Sequence, residues 1–146
     1  QVPIKSRFGT FMIIRQIEYK DIESVWELLN QLMFVDTSLI DTELAWKKFN
    51  NHGIVVEVDD KIVGFGCLVV EYKIRGYTSG HIEDVVIDEE WRGKGVGEKL
   101  VKALCDKAEE HNCYRVSLFC RKELVSFYNK NGFEVNNVVM KKFFNQ

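Results

Sequence analysis

The sequence predicts an α/β (α+β) fold on three observations. Strand-like and helix-like segments alternate along 146 residues, two central β-branched runs flank a tight Asp59-Asp60 turn, and a later strand passes through a glycine-rich turn into a long amphipathic helix. A chain of this length buries about two-thirds of its unfolded surface, so residues 1–146 are expected to form one domain without help from disulfides or metals.

Phe11 to Ile17 reads as a strand, and Asp21 to Leu29 as a helix with apolar residues at Ile22, Val25, Trp26 and Leu29. Asp41-Thr42-Glu43-Leu44-Ala45-Trp46 reads as a second, capped helix. Ile54 to Val58 and Ile62 to Tyr72, the latter broken by Gly64 and Gly66, form a hairpin of antiparallel neighbours. His81 to Ile87 is the next strand, and Val96, Leu100, Val101, Leu104 and Ala108 recur at helical spacing after the glycine turn. Tyr114 to Cys120 is a strand, Leu124 to Tyr128 a short helix stopping near Asn131-Gly132, and the chain closes with a strand towards Phe143. Repeats, low-complexity tracts and linkers are absent, and Pro3 is the sole proline, so nothing marks a hinge.

Composition narrows the function. With 46% apolar and 29% charged residues and a net charge of -2, the chain has no overall field to attract nucleic acid, and any anionic ligand must be held locally. No apolar run approaches the roughly 20 residues of a membrane span. Cys67, Cys105, Cys113 and Cys120 form no CxxC pair, and most sit in apolar surroundings where cysteine behaves as a small core residue, as expected of a reducing, cytoplasmic context. The apolar final segment, with Val138, Val139, Met140, Phe143 and Phe144, predicts a homodimer, because one small domain has little surface to cover it.

The chemistry centres on Arg92-Gly93-Lys94-Gly95-Val96-Gly97. A helix N-terminus presents unpaired N–H groups and a positive dipole end, and glycines before it let phosphate oxygens approach the main chain. Arg92 and Lys94 add charge suited to a diphosphate. The dinucleotide fingerprint fails, since the glycines run G-x-G-x-G and Ser117 to Cys120 bring no acidic residue. The nucleoside-triphosphate loop fails because Gly97 is followed by Glu98. Simple turn glycines before a helix are the plain alternative.

Arg92-x-x-Gly95-x-Gly97 after a strand resembles the acetyl-coenzyme A motif of the GCN5-related N-acetyltransferase superfamily, and the element order resembles that fold. Gly80-His81-Ile82-Glu83-Asp84-Val85, Asn112-Cys113-Tyr114-Arg115 and Val125 to Phe133 narrow the resemblance to its glucosamine 6-phosphate N-acetyltransferases. The resemblance implies a central, mixed but mostly antiparallel sheet flanked by helices, an intimate dimer, and acetyl-coenzyme A as cosubstrate with no metal. It implies direct attack of an amino-sugar phosphate's amine on the thioester, in amino-sugar biosynthesis. Val85, Val86 and Ile87 would pair with the pantetheine arm, and Arg92, Gly93, Lys94, Gly95, Val96 and Gly97 would hold the pyrophosphate. Glu83, Asp84 and Val85 would face the sugar, Tyr114 and Arg115 would line its site, and Tyr128 would stand near the sulfur.

Three positions depart from that family pattern: Phe119 replaces an acidic residue before Cys120, Leu124 an asparagine, and Phe143 an arginine that reaches the partner's sugar phosphate. Lys73, Arg75, Arg115, Lys141 and Lys142 are the cations available for a phosphate instead. The Tyr128 hydroxyl is a candidate acid for the leaving thiolate, with a core aromatic as the alternative. Glu83 or Asp84 is the candidate proton acceptor, and strand alternation predicts that at most one of them faces a given pocket. His81 reads as a solvated group with a minor claim to the same role. A backbone N–H near Val85 or Val86 is the candidate oxyanion donor. Two other functions remain open: a same-fold acetyltransferase of a polyamine, amino acid or protein N-terminus, and a non-catalytic acetyl-coenzyme A-binding module.

Overall fold

The computed structural model describes residues 3–5, 9, 11–34 and 36–145. Among these residues six strands form one sheet in chain order: β1 (Ile4–Lys5), β2 (Phe11–Gln16), β3 (His52–Val58), β4 (Lys61–Tyr72), β5 (Thr78–Ile87) and β6 (Val116–Leu118). Neighbours are antiparallel except β5 and β6, which are parallel because a helix connects them. Among the described residues there are also four α-helices: α1 (Ile22–Leu29), α2 (Thr42–Lys48), α3 (Val96–Glu110) and α4 (Val125–Lys130).

Local sequence sets the joints. Asp59 and Asp60 take φ of 48° and 63°, the left-handed pair that a two-residue hairpin turn needs, and so lock β3 to β4. The Asp41 carboxylate accepts from the Leu44 N–H at 3.1 Å and caps α2. Before α1, the Asp21 carboxylate accepts from Arg15 at 2.7 and 2.9 Å and from the Glu18 N–H at 2.8 Å, which ties the helix start to β2.

The two sheet faces carry separate cores. On one, Val96, Leu100, Leu104 and Ala108 of α3 pack against Met12, Val56, Val63, Leu68 and Ile82. On the other, Val25 and Leu28 of α1 pack against Val55, Ile62, Phe65, Cys67 and Val86, with Trp46 and Phe49 beside them. Gly66 allows α3 its close approach, since a Cβ there would stand 2.7 Å from a Leu104 methyl.

Three elements differ from expectation. The dipeptide strand β1 carries no sequence signal. The strand expected over Tyr114 to Cys120 contracts to Val116–Leu118. The expected last strand towards Phe143 is absent: residues 133–145 adopt no regular structure, and Val138, Met140 and Phe143 are exposed. The segment has strand composition but no sheet edge in its own chain to pair with, and an unpaired strand does not hold. Among the described residues, no helix is long and apolar enough to cross a membrane.

Candidate active site

Beyond β5 the chain turns at Asp88, whose N–H donates to the Val63 carbonyl at 2.8 Å and whose carboxylate accepts from the Glu90 N–H at 3.0 Å. Arg92 Nε donates to the Ile87 carbonyl at 3.2 Å, and Lys94 Nζ lies 4.8 Å from the Trp91 ring centroid. Both cations are thereby held beside the N-terminus of α3. Gly93 and Gly95 have φ of 75° and 83°, which L residues rarely adopt, and a Cβ at either would meet no atom within 4 Å. Their outer side is an open cradle at a helix N-terminus, with the charge and backbone access a diphosphate needs.

Gly97 does a different job. A Cβ there would stand 3.2 Å from the Phe127 ring, so Gly97 is the gap through which α4 packs on α3. The sequence alone treated the three glycines alike.

The second part of the site is a bulge in β5. Glu83 pairs with Cys67 and Val86 with Phe65, which leaves Asp84 and Val85 both opposite Gly66. Asp84 takes φ of 56° to accommodate the extra residue. This overturns the alternation expected of Glu83 and Asp84. The inserted residue breaks the period of two, and both carboxylates come to the α1 face of the sheet. There the Cys67 thiol is pushed up to about 12 by its burial and then by the charges of Glu83 and Asp84 together. A glycine within a strand was the available signal for the bulge, and Gly66 carried it.

His81 joins the same face and is not the solvated group expected. Its side chain is only 16% exposed, its Nε2 lies 3.9 Å from Glu83 Oε2, and its Nδ1 lies 3.4 Å from Ser117 Oγ. Phe119 lies with its ring 4.6 Å from the imidazole. An aromatic thus stands against His81 at the position where an acidic residue was expected.

Pairing of β6 to β5 ends at Ile82 with Leu118, and among the described residues no strand pairs with the outer edge of β5 from Glu83 to Ile87. That edge is a template for an extended ligand arm. In α4, Tyr128 is 8% exposed, edge-on to Phe127 at 5.0 Å and to Phe133 at 5.7 Å. Phe127 packs at Gly97, at the start of α3, and Tyr128 packs on Phe127 and Phe133, so the tyrosine is a core aromatic as well as the candidate acid. Burial, and after it the neighbouring Cys120, raise the phenol above its ordinary range and keep it protonated at neutral pH.

The cations divide into two groups. Lys73 donates to the Glu71 carboxylate at 2.6 Å and holds it below the usual carboxylate range, with burial opposing and the charges of Lys73, His81 and Arg115 contributing. Arg115 lies 5.2 Å from the Tyr114 ring, which packs on Tyr77 at 5.4 Å. Lys73 and Arg115 therefore share the end of β4 and β5 remote from the glycine loop, with Arg75 on the exposed turn between those strands. Lys141 and Lys142 lie on the irregular C-terminal segment, where Lys142 covers Phe144 at 6.0 Å. Among the described residues, no group of three or more His, Cys, Asp or Glu side chains could hold a metal ion.

Comparison with known proteins fits this arrangement. The profile of the Acetyltransferase (GNAT) family matches residues 18–133. A glucosamine 6-phosphate N-acetyltransferase of Arabidopsis thaliana is 35% identical over 143 residues, covering 90% of this chain and 95% of the relative. A probable glucosamine 6-phosphate N-acetyltransferase of Oryza sativa is 40% identical over 102 residues, covering 65% of this chain and 61% of the relative's length. The crystal structure of glucosamine-6-phosphate N-acetyltransferase from Arabidopsis thaliana superposes with a TM-score of 0.82 at 32% identity, covering 92% of this chain and 99% of that one.

Proposed function

The chain belongs to the acetyltransferase (GNAT) family, and from that premise we propose that it transfers the acetyl group of acetyl-coenzyme A to the amine of glucosamine 6-phosphate. The product is N-acetylglucosamine 6-phosphate, an intermediate of amino-sugar biosynthesis, made by direct attack in a ternary complex. The relatives' named activity supplies the acceptor. The observation that carries the reading is one continuous track: the carboxylates at the β5 bulge, the open edge from Glu83 to Ile87, then the glycine cradle.

Along that track Arg92, Lys94 and the amides at Gly93 to Gly97 hold the pyrophosphate, and Val85, Val86 and Ile87 pair with the pantetheine arm. Glu83 or Asp84, with His81 beside them, accepts the proton of the attacking amine. A backbone N–H at Val85 or Val86 meets the oxyanion, and Tyr128 donates to the departing thiolate. Lys73, Arg75, Tyr114 and Arg115 take the sugar phosphate, in place of the arginine that Phe143 displaces.

The whole chain acts as one domain and as a homodimer, a reading supported by Val138, Met140 and Phe143 standing 86%, 91% and 86% exposed. A cytoplasmic location fits its four free cysteines. Steady-state kcat/KM for glucosamine 6-phosphate, glucosamine, spermidine and lysine, followed by thiol release, tests the acceptor. Glucosamine 6-phosphate should lead, and plain glucosamine should be poorer by about a hundredfold or more, since its absence of phosphate leaves the cations unsatisfied. Preference for spermidine or lysine would keep the acetyltransferase and remove the sugar.

A further inference from the structure

The turn that leads Arg92 and Lys94 into the cradle is also held from the end of α1. It begins at Asp88 and runs through one 3-10 turn, Glu89–Trp91, whose first amides find no carbonyl within the helix itself. The Asp88 N–H donates to the Val63 carbonyl at 2.8 Å, the Glu90 N–H to the Asp88 carboxylate at 3.0 Å, and the Trp91 N–H to the Asp88 carbonyl at 2.8 Å. The Glu89 N–H is met from a distant part of the chain: Gln31 Oε1 accepts it at 3.1 Å.

Gln31 stands on a firm base. Val25 and Leu28 bury α1 at 4% and 3% exposure, and just past the helix the Gln31 N–H donates to the Leu28 carbonyl and the Leu32 N–H to the Leu29 carbonyl, both at 3.0 Å. Gln31 itself is exposed and takes no part in either core, so its side chain can be changed without a packing loss. Downstream of Glu89, the Trp91 ring carries Lys94 at 4.8 Å and Arg92 Nε reaches the Ile87 carbonyl. A turn free to shift would move both cations together, and a ligand then has to order them at the expense of its own affinity.

We propose that Gln31 is a positioning residue for the cosubstrate: by holding the Glu89 amide it fixes the turn and sets Arg92 and Lys94 in place for the pyrophosphate. The end of α1, on one face of the sheet, is thereby tied to the loop that opens α3 on the other. The inference rests on the acetyl-coenzyme A cradle proposed above and is independent of the acceptor.

Gln31→Met keeps the reach of the side chain and removes the acceptor. Calorimetry with coenzyme A should show its Kd raised by about three- to tenfold, the scale of one neutral hydrogen bond. With acetyl-coenzyme A as the varied substrate, KM should rise with it while kcat stays within about twofold, the split expected when ground-state and transition-state binding weaken together. Hydrogen exchange at the Glu89 amide should quicken in the same variant. Gln31→Glu restores an oxygen at the same reach, and at high salt, where its added charge is screened, its Kd should lie within about twofold of the parent's. A residue that served only the stability of α1 would instead lower Tm and leave the Kd of the folded protein unchanged, which overturns the proposal. A fall in kcat with KM unmoved overturns it too, as does a Gln31→Glu variant that binds as weakly at high salt as Gln31→Met. If the parent protein binds no coenzyme A, the cradle fails and this inference with it; if the parent and Gln31→Met bind it equally, the cradle stands and only this inference falls.

Discussion

A buried phenol and a half-buried imidazole show how the surroundings of a single side chain set its protonation in this fold. Tyr128 is held protonated, with burial first and then Cys120 raising its pKa, which is the state that the acid role proposed above requires. Tyr128→Phe should lower kcat by about ten- to a thousandfold with acetyl-coenzyme A affinity little changed, as stopped-assay kinetics and calorimetry would read. His52, at the start of β3, lies with its ring 4.3 Å from that of His111 at the end of α3. Burial first, then the charges of His111 and Lys107, with Glu110 opposing, hold its pKa below the ordinary value. The folded chain thus binds fewer protons here than the unfolded one. Its stability from this site is complete above the unfolded value of about 6.5 and is lost as pH falls through the lower folded value. The Tm of His52→Asn, relative to that of the parent protein, should therefore rise between pH 8 and pH 5.5; an unchanged difference would remove His52 as a source of acid sensitivity.

Among elements, the loop into α3 combines two requirements that adjacent glycines conceal. Gly95 caps the helix with φ of 83° and leaves its Cβ direction open, whereas Gly97 admits the Phe127 ring. Gly95→Glu should abolish acetyl-coenzyme A binding in calorimetry, because it strains the cap and sets a carboxylate where the diphosphate approaches. Gly97→Leu should act first on stability, lowering Tm by displacing α4, with ligand affinity falling as a consequence. If Gly95→Glu binds acetyl-coenzyme A as the parent does, the cradle belongs to some other ligand. The β5 bulge is the companion device: one extra residue opposite Gly66 brings two carboxylates to one face, which a regular strand would have separated.

At the scale of the molecule, six strands bury two cores, and the C-terminal segment buries none. Val135, Val138, Met140, Phe143 and Phe144 are all more than 70% exposed, an apolar run that a second copy would cover. Sedimentation should report a dimer at micromolar concentration. Phe143→Asp should shift it towards the monomer of 17.0 kDa, because a charge in an apolar interface remains unpaired. A wild-type monomer would refute the homodimer.

Local pattern made most of the architecture legible in the sequence. Apolar spacing at Val96, Leu100, Val101, Leu104 and Ala108 marked α3, the Asp59-Asp60 turn marked the β3–β4 hairpin, and the glycines marked the loop, since each signal is set by neighbouring residues. The placement of Glu83, Asp84 and His81 on one face was decided by tertiary structure, because a bulge depends on what stands opposite in the next strand. The separate duty of Gly97 was decided the same way, by a ring arriving from α4. So was the fate of the tail: its composition alone reads as a strand, but a strand exists only where an edge is offered, and the single chain offers it none.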